Sequence, residues 1–283
     1  MSMITFPNAK INLGLQVIGR RADGYHNLQT IFVPIPLQDV LELRPLNFYD
    51  KRYELVGPGL DCLCAADDNL VVRVFRSLQD EFNLPPQTIH LFKRIPTGAG
   101  LGGGSADAAF MMRLLNEQFS LGLSGEDMQE RLSSFGADCP FFVQNTPCYA
   151  TGIGTALQPI KLDLKNYWLL LVKPPLSVST REAYSNISPR PAQVDLREAV
   201  KQPISEWRNL IHNDFEDSVF PAYPSIRAIK DTLYQMNALY ASMSGSGSAV
   251  FAIMKHEWPD ADGIFPDCFV FQHRWKLYNP TFN

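Results

Sequence analysis

The sequence predicts an α+β fold in two domains, and three observations carry that prediction. Short runs of alternating apolar residues dominate the chain as far as Gly57. Helical periodicity then frames a glycine-rich loop, and the strand-then-helix pattern starts again near Lys161. With 283 residues and 46% hydrophobic content there is enough apolar side chain for two modest cores, so disorder is not the expectation. The pattern places the boundary between residues 155 and 165, giving domains 1–158 and 159–283.

Each element follows from local chemistry. "SMITF", "INLGLQVI", "LQTIFVPI", "DVLEL" and "RYELVG" are β-rich segments broken by Gly, Pro or charge. From Asn69 to Asn83 the period changes: Val71, Val74, Phe75, Leu78 and Phe82 share one helical face, and Pro85 and Pro86 close the helix. A strand over Thr88 to Ile95 leads into "PTGAGLGGGSADAA", behind which Ala106, Ala109, Phe110 and Leu114 predict a helix over Ser105 to Asn116. A further helix is capped at Ser124 by "SGED" and ends near Phe135. After "GADCPFF" come strands at "CYATG" and "ALQPI". The second domain reads as a buried strand "YWLLLVKPP", several short helices from Thr180 to Asn237, a strand "ALYAS", a small-residue loop "SMSGSGSAVFAIM" and a last strand at "CFVFQH".

The central loop raises the functional question. Glycine lets main-chain amides approach a bulky partner and accepts positive φ without steric penalty. A loop of this kind feeding a helix N-terminus favours an anion, most often a phosphate chain. It is no Walker A loop, because Gly103 is followed by Gly104 and not by Lys. Gly98, Gly100 and Gly103 formally satisfy G-x-G-x-x-G, yet a second helix follows where a dinucleotide fold needs a strand. The V-A-I-K and H-R-D signatures of protein kinases are absent.

Composition narrows the partners. A formal charge of -4 repels polyanions, which argues against nucleic acid and leaves phosphate binding to local geometry. Cys62, Cys64, Cys139, Cys148 and Cys268 make no CxxC pair or metal-ligand spacing and read as free thiols of a reducing cytosol. The N-terminal stretch lacks the pattern of a secretion signal and "YWLLLV" is too short to cross a bilayer, so the expectation is a cytoplasmic protein without a membrane partner.

Three separated stretches, "PNAKINLGL", the central glycine loop and "SMSGSGSAVFA", together resemble the GHMP family of small-molecule kinases in order and spacing. The resemblance spans nearly the whole chain. It implies an N-terminal nucleotide-binding domain like domain 2 of ribosomal protein S5, a ferredoxin-like α/β C-terminal domain, an active site in the cleft between them, and ATP with Mg²⁺ as cofactors. "ADGYHNLQT", "DNLVVR" and "GADCPFF" are similar to the subgroup that phosphorylates a cytidine-diphosphate-linked methylerythritol in the non-mevalonate isoprenoid pathway. Ala106 stands where that subgroup often has a second serine. The resemblance implies a monomer or weak homodimer. Two other readings stay open: a kinase of another small alcohol such as homoserine or mevalonate, and a nucleotide-binding sensor without turnover.

The resemblance also implies site residues. Asp138 matches the catalytic aspartate and would accept the proton of the attacking hydroxyl. Lys10, an ammonium in an apolar strand, needs an anion, and Asp138 is the expected partner. The ATP phosphates fall to Pro96, Thr97, Gly98, Ala99, Gly100, Leu101, Gly102, Gly103, Gly104, Ser105 and Ala106, with Ser105 a candidate hydroxyl for phosphate or Mg²⁺. The metal ligands are otherwise open. Asn69, Leu70 and Lys93 are expected near adenine, and Asp107 as a favourable charge in the first helical turn. Tyr25 and Tyr184 are expected to stack on cytosine and His26 to bond its edge, with Asn12 and Thr180 nearby.

Overall fold

The alternating segments of the opening region fold as strands in the computed structural model, which describes residues 2–46, 51–57 and 65–275. Cys62 and Cys64 lie outside the described residues. The strands are β1 (Met3–Thr5), β2 (Asn8–Arg20), β3 (His26–Gln38), β4 (Val40–Pro45) and β5 (Tyr53–Val56). A 3-10 turn over Ala66–Asp68 precedes α1 (Leu70–Phe82), and then come β6 (Gln87–Phe92), α2 (Gly103–Gln118), α3 (Gly125–Ser133) and α4 (Phe141–Gln144). The remainder comprises β7 (Cys148–Thr151), β8 (Ala156–Pro159), β9 (Trp168–Lys173), α5 (Thr180–Ser185), α6 (Leu196–Ala199), α7 (Ile204–Leu210), α8 (Phe215–Ala222), α9 (Pro224–Gln235), β10 (Tyr240–Met243), β11 (Val250–Met254), α10 (Ala261–Ile264) and β12 (Phe269–Arg274).

These residues form two compact units that are discontinuous in sequence: residues 1–9, 35–97 and 102–145 make one, and residues 10–34, 98–101 and 146–283 make the other. In the first unit a four-stranded sheet runs β1-β4-β6-β5, with only its β5–β6 pair parallel. α2 packs on β1, β4 and α1. The predicted stripe of α1 is buried at Val71, Val74, Phe75 and Leu78, so the helix is held by its apolar face. Its ends are chemically marked. The Asn69 side chain accepts from the Val71 amide, and Asn83 closes the helix in the left-handed region at φ 52°. At α3, Ser124 and Asp127 form a reciprocal capping box.

In the second unit the sheet β10-β11-β9-β12 is antiparallel throughout. Leu170, Val172, Val250 and Ala252 project from it into a core completed by Val219 of α8 and by Ile226 and Leu233 of α9. The near-continuous apolar run of β9 fits a central strand buried on both faces. A second sheet is ordered β2-β3-β7-β8. Cys139 and Cys148 are buried free thiols, and Cys268 is partly exposed.

Candidate active site

The glycine loop leaves β6 through Lys93, Arg94 and Ile95 and enters α2 at Gly103, two residues earlier than the periodicity predicts. The reason is close packing: a Cβ at Gly103 would lie 2.8 Å from Ile95 Cγ2, so only glycine lets the helix begin there. Gly102 holds the N-cap in the left-handed region at φ 71°, and no side chain caps the helix. The cradle therefore fits a phosphate chain: bare backbone at the positive end of a 16-residue helix, with no protein side chain serving as its cap.

Beneath the loop sits a buried ionic cluster. Lys93, 5% exposed, pairs with Asp39 and, at 2.6 Å, with Asp107. Asp39 also accepts from the amides of Arg94 and, at 2.8 Å, Ile95. Burial pushes the Asp107 carboxyl up to about 7, only partly opposed by the attraction of Lys93. Burial alone would lower Lys93, but the charges of Asp107 and Asp39 outweigh it and hold the ammonium above its ordinary value. Asp107 thus faces inward from the second turn of α2, and is not the first-turn capping charge that the sequence suggested.

The turn carrying Asp138 packs against the same helix start. Burial raises the Cys139 thiol to about 11, an effect that the nearby Ser105 side chain partly opposes. A Cβ at Gly136 would sit 3.3 Å from Cys139 Sγ and 4.0 Å from Ser105 Oγ. Arg73 of α1 lies over the neighbouring Phe135 ring at 5.6 Å. Ser105 and the Asp138 turn are therefore brought together, while Asn69 and Leu70 stand at the start of α1, where a Cβ at Gly104 would approach Leu70 at 3.9 Å.

In the second unit, the loop tip Gly98–Leu101 is where the three sequence motifs meet. The Lys10 amide donates to the Leu101 carbonyl at 2.9 Å, and the Ala249 amide donates to the Ala99 carbonyl at 3.2 Å. Ser244 Oγ donates to the Gly100 carbonyl at 2.9 Å. Lys10 itself is 3% exposed, with Nζ 2.6 Å from Asn12 Oδ1 and 5.0 Å from the centre of the Phe32 ring. Asn12 donates to Thr30 Oγ1 at 3.0 Å, which fixes its amide so that the oxygen faces Lys10.

The expected aromatic residues are arranged differently from a simple pair. His26 stacks on Tyr184 with ring centres 4.7 Å apart and planes 15° apart, while Phe215 meets Tyr184 edge-on at 4.7 Å. Burial and the charge of Arg20 lower the His26 pKa, favouring a neutral imidazole. Tyr25 is 62% exposed on the turn before β3, and Thr180 is exposed at the start of α5. The structure therefore brings His26 and Tyr184 together and leaves Tyr25 outside their stack.

Sequence reasoning missed Asp39, Ser244 and Asn213. Antiparallel register places Val40 opposite Phe92, so the next pair across β4 and β6 is Asp39 and Lys93; that signal needs the pairing, which one sequence does not display. Asn213 donates to the carbonyls of Met243 and Gly245, both at 2.8 Å, and so holds the third motif. Among the described residues, no three of His, Cys, Asp and Glu are grouped to hold a metal ion, and no helix is long and apolar enough to cross a membrane.

The patterns of the GHMP kinases N terminal domain and the GHMP kinases C terminal region match residues 69–145 and 195–260. The chain is 52% identical over 274 residues to 4-diphosphocytidyl-2-C-methyl-D-erythritol kinase of Bacteroides fragilis, covering 97% of this chain and 100% of that protein. It is 45% identical to the protein of that name from Porphyromonas gingivalis, covering 98% and 100% respectively. A crystal structure of 4-(cytidine 5'-diphospho)-2C-methyl-D-erythritol kinase superposes with a TM-score of 0.78 at 29% identity, covering 95% of this chain and 98% of that one. A homoserine kinase from Cytophaga hutchinsonii shares the fold, with a TM-score of 0.64 at 15% identity over 96% and 93% of the two chains.

Proposed function

The chain belongs to the 4-diphosphocytidyl-2-C-methyl-D-erythritol kinases of the GHMP kinase family, and from that premise we propose that it transfers the γ-phosphoryl group of ATP to the 2-hydroxyl of its namesake substrate. The reaction is a step of the non-mevalonate isoprenoid pathway. The observation that carries the reading is the convergence of the three motifs on Gly98–Leu101, through the Lys10 amide, Ser244 and the Ala249 amide.

Loose phosphoryl transfer leaves a protein chiefly positioning and charge neutralisation to perform. In our reading, amides from Pro96 to Ala106 hold the triphosphate, with Asn69, Leu70 and Lys93 forming the adenine side. The substrate oxygen attacks the γ-phosphorus in line, the bond to the β,γ-bridging oxygen breaks and ADP leaves. Asp138 accepts the hydroxyl proton, and Lys10 supplies positive charge to the transferred group. Mg²⁺, when bound with ATP, neutralises phosphate charge. Ser105 is the hydroxyl we assign to it, a role that suits its place beside the Asp138 turn.

For the cytidine end we assign Tyr184 and Tyr25 to the base faces and His26 to its polar edge, with Asn12 and Thr180 on the sugar side. Along the sequence we divide the enzyme into kinase domains at residues 1–158 and 159–283. We further propose a cytoplasmic monomer or weak homodimer acting on small molecules and not on nucleic acid. The test is ADP release with a panel of acceptors: the cytidine-diphosphate-linked methylerythritol, homoserine and mevalonate. Turnover confined to the first supports the assignment, and preference for either other alcohol overturns it.

A further inference from the structure

Three charged side chains cluster at the ends of the phosphate loop, and two of them, Asp39 and Asp107, have no part in the ATP and transfer roles assigned above. Asp39, Lys93 and Asp107 are 0%, 5% and 2% exposed, and each comes from a different place in the first unit. Asp39 follows β3, Lys93 follows β6 on the strand leading into the loop, and Asp107 belongs to the second turn of α2 where the loop ends. Asp39 takes hydrogen bonds from the amides of Arg94 and Ile95 as well as its ion pair with Lys93. Lys93 then reaches across to Asp107 at 2.6 Å. A Cβ at Gly103 would stand 3.5 Å from Lys93 Nζ, so the ammonium lies beside the first residue of the helix.

Such a cluster is poorly explained as a source of stability. Desolvating three charges is costly, and well-packed apolar residues of similar volume commonly do as well or better. This one is also incompletely satisfied, since Asp107 Oδ1 finds no hydrogen-bond partner among the described residues. What the cluster does achieve is geometric: it joins the strand entering the loop to the helix leaving it.

We propose that Asp39, Lys93 and Asp107 are positioning residues, an ionic clamp that fixes the two ends of the loop over residues 96–102 and so sets where its amides meet the ATP phosphates. The proposal rests on the reading that this loop holds ATP.

The test combines ATP calorimetry with steady-state kinetics on wild type and the variant Asp107→Leu, which replaces the helix end of the clamp by apolar volume and leaves Lys93 paired with Asp39. A positioning role predicts a folded protein with an undiminished thermal midpoint, a KM for ATP raised about tenfold or more, and a KM for the cytidine substrate within about twofold of wild type. A folded variant with wild-type KM for ATP overturns the clamp. If Asp107→Leu does not fold, Asp107→Asn decides. The KM for ATP of Asp107→Asn should rise while that for the cytidine substrate stays within about twofold of wild type. A wild-type KM for ATP in that variant overturns the proposal. Wild-type protein that binds no ATP would instead overturn the loop assignment itself, a result separable from failure of the clamp.

Discussion

Ser244 Oγ donates to the carbonyl oxygen of Gly100 at 2.9 Å, and a Cβ at Gly100 would lie 1.9 Å from the carbonyl oxygen of Ser244. Two backbone segments far apart in sequence thus meet with no room for a methyl group. Gly100 also has φ at +72°, so an L side chain there is strained as well as obstructed.

Gly100→Ala is therefore expected to separate the loop tip from the third motif. Gly122→Ala is the control, with a similar φ of +74° but nothing within 4 Å of the added methyl. The control should lose about 1–2 kcal/mol from backbone strain alone. Gly100→Ala should lose more in thermal denaturation and also weaken ATP binding by calorimetry.

Removing the base or the cation tests the transfer chemistry. Asp138→Asn and Lys10→Met should each lower kcat on the order of 10²-fold or more while ATP still binds. Stopped-flow single turnovers measure this step directly. Turnover near wild type in Asp138→Asn would remove the base assignment.

The stack of His26 on Tyr184 gives a prediction for the cytidine end. Tyr184→Ala should raise the KM for the cytidine substrate about tenfold and leave that for ATP unchanged, whereas Tyr184→Phe keeps the ring and should stay close to wild type. Because burial and Arg20 lower the His26 pKa, its contribution to stability is present above its unfolded value and fades as pH falls below about 6.5. His26→Gln should flatten that acid limb in melts followed by circular dichroism.

Asp107 predicts the opposite pH slope. Its carboxyl is raised to about 7 in the folded protein, so folding takes up a proton between the ordinary carboxylate range and neutrality. Its contribution is most favourable in acid and declines as pH rises through that window. Melting temperatures of wild type should fall relative to Asp107→Asn as pH rises from about 4 to 7. A difference independent of pH would contradict the raised ionisation.

Much of this was legible in the residues. The alternation of the opening strands, the apolar stripe of α1 and the Ser124 cap all act within a few neighbouring positions, where sequence pattern and structure share a cause. The glycine loop was legible as a loop, but its helix begins at Gly103 because Ile95 packs against that position, a contact outside the local pattern. Asp39 and Lys93 meet through strand pairing, and Tyr25 and His26 differ in exposure although they are adjacent. Interactions decided by register or side-chain direction leave little trace in one sequence.

The amides of Asn8 and Asn145 exchange hydrogen bonds, Nδ2 to Oδ1 in both directions at 3.2 Å and 2.5 Å, and both side chains are buried. Each needs the other to offer one donor and one acceptor. Hydrolysis of either side chain to the acid during ageing would set two oxygens face to face in a place water does not reach. The join between the first motif and the end of α4 is thus the spot where slow chemical damage would be felt as a structural fault.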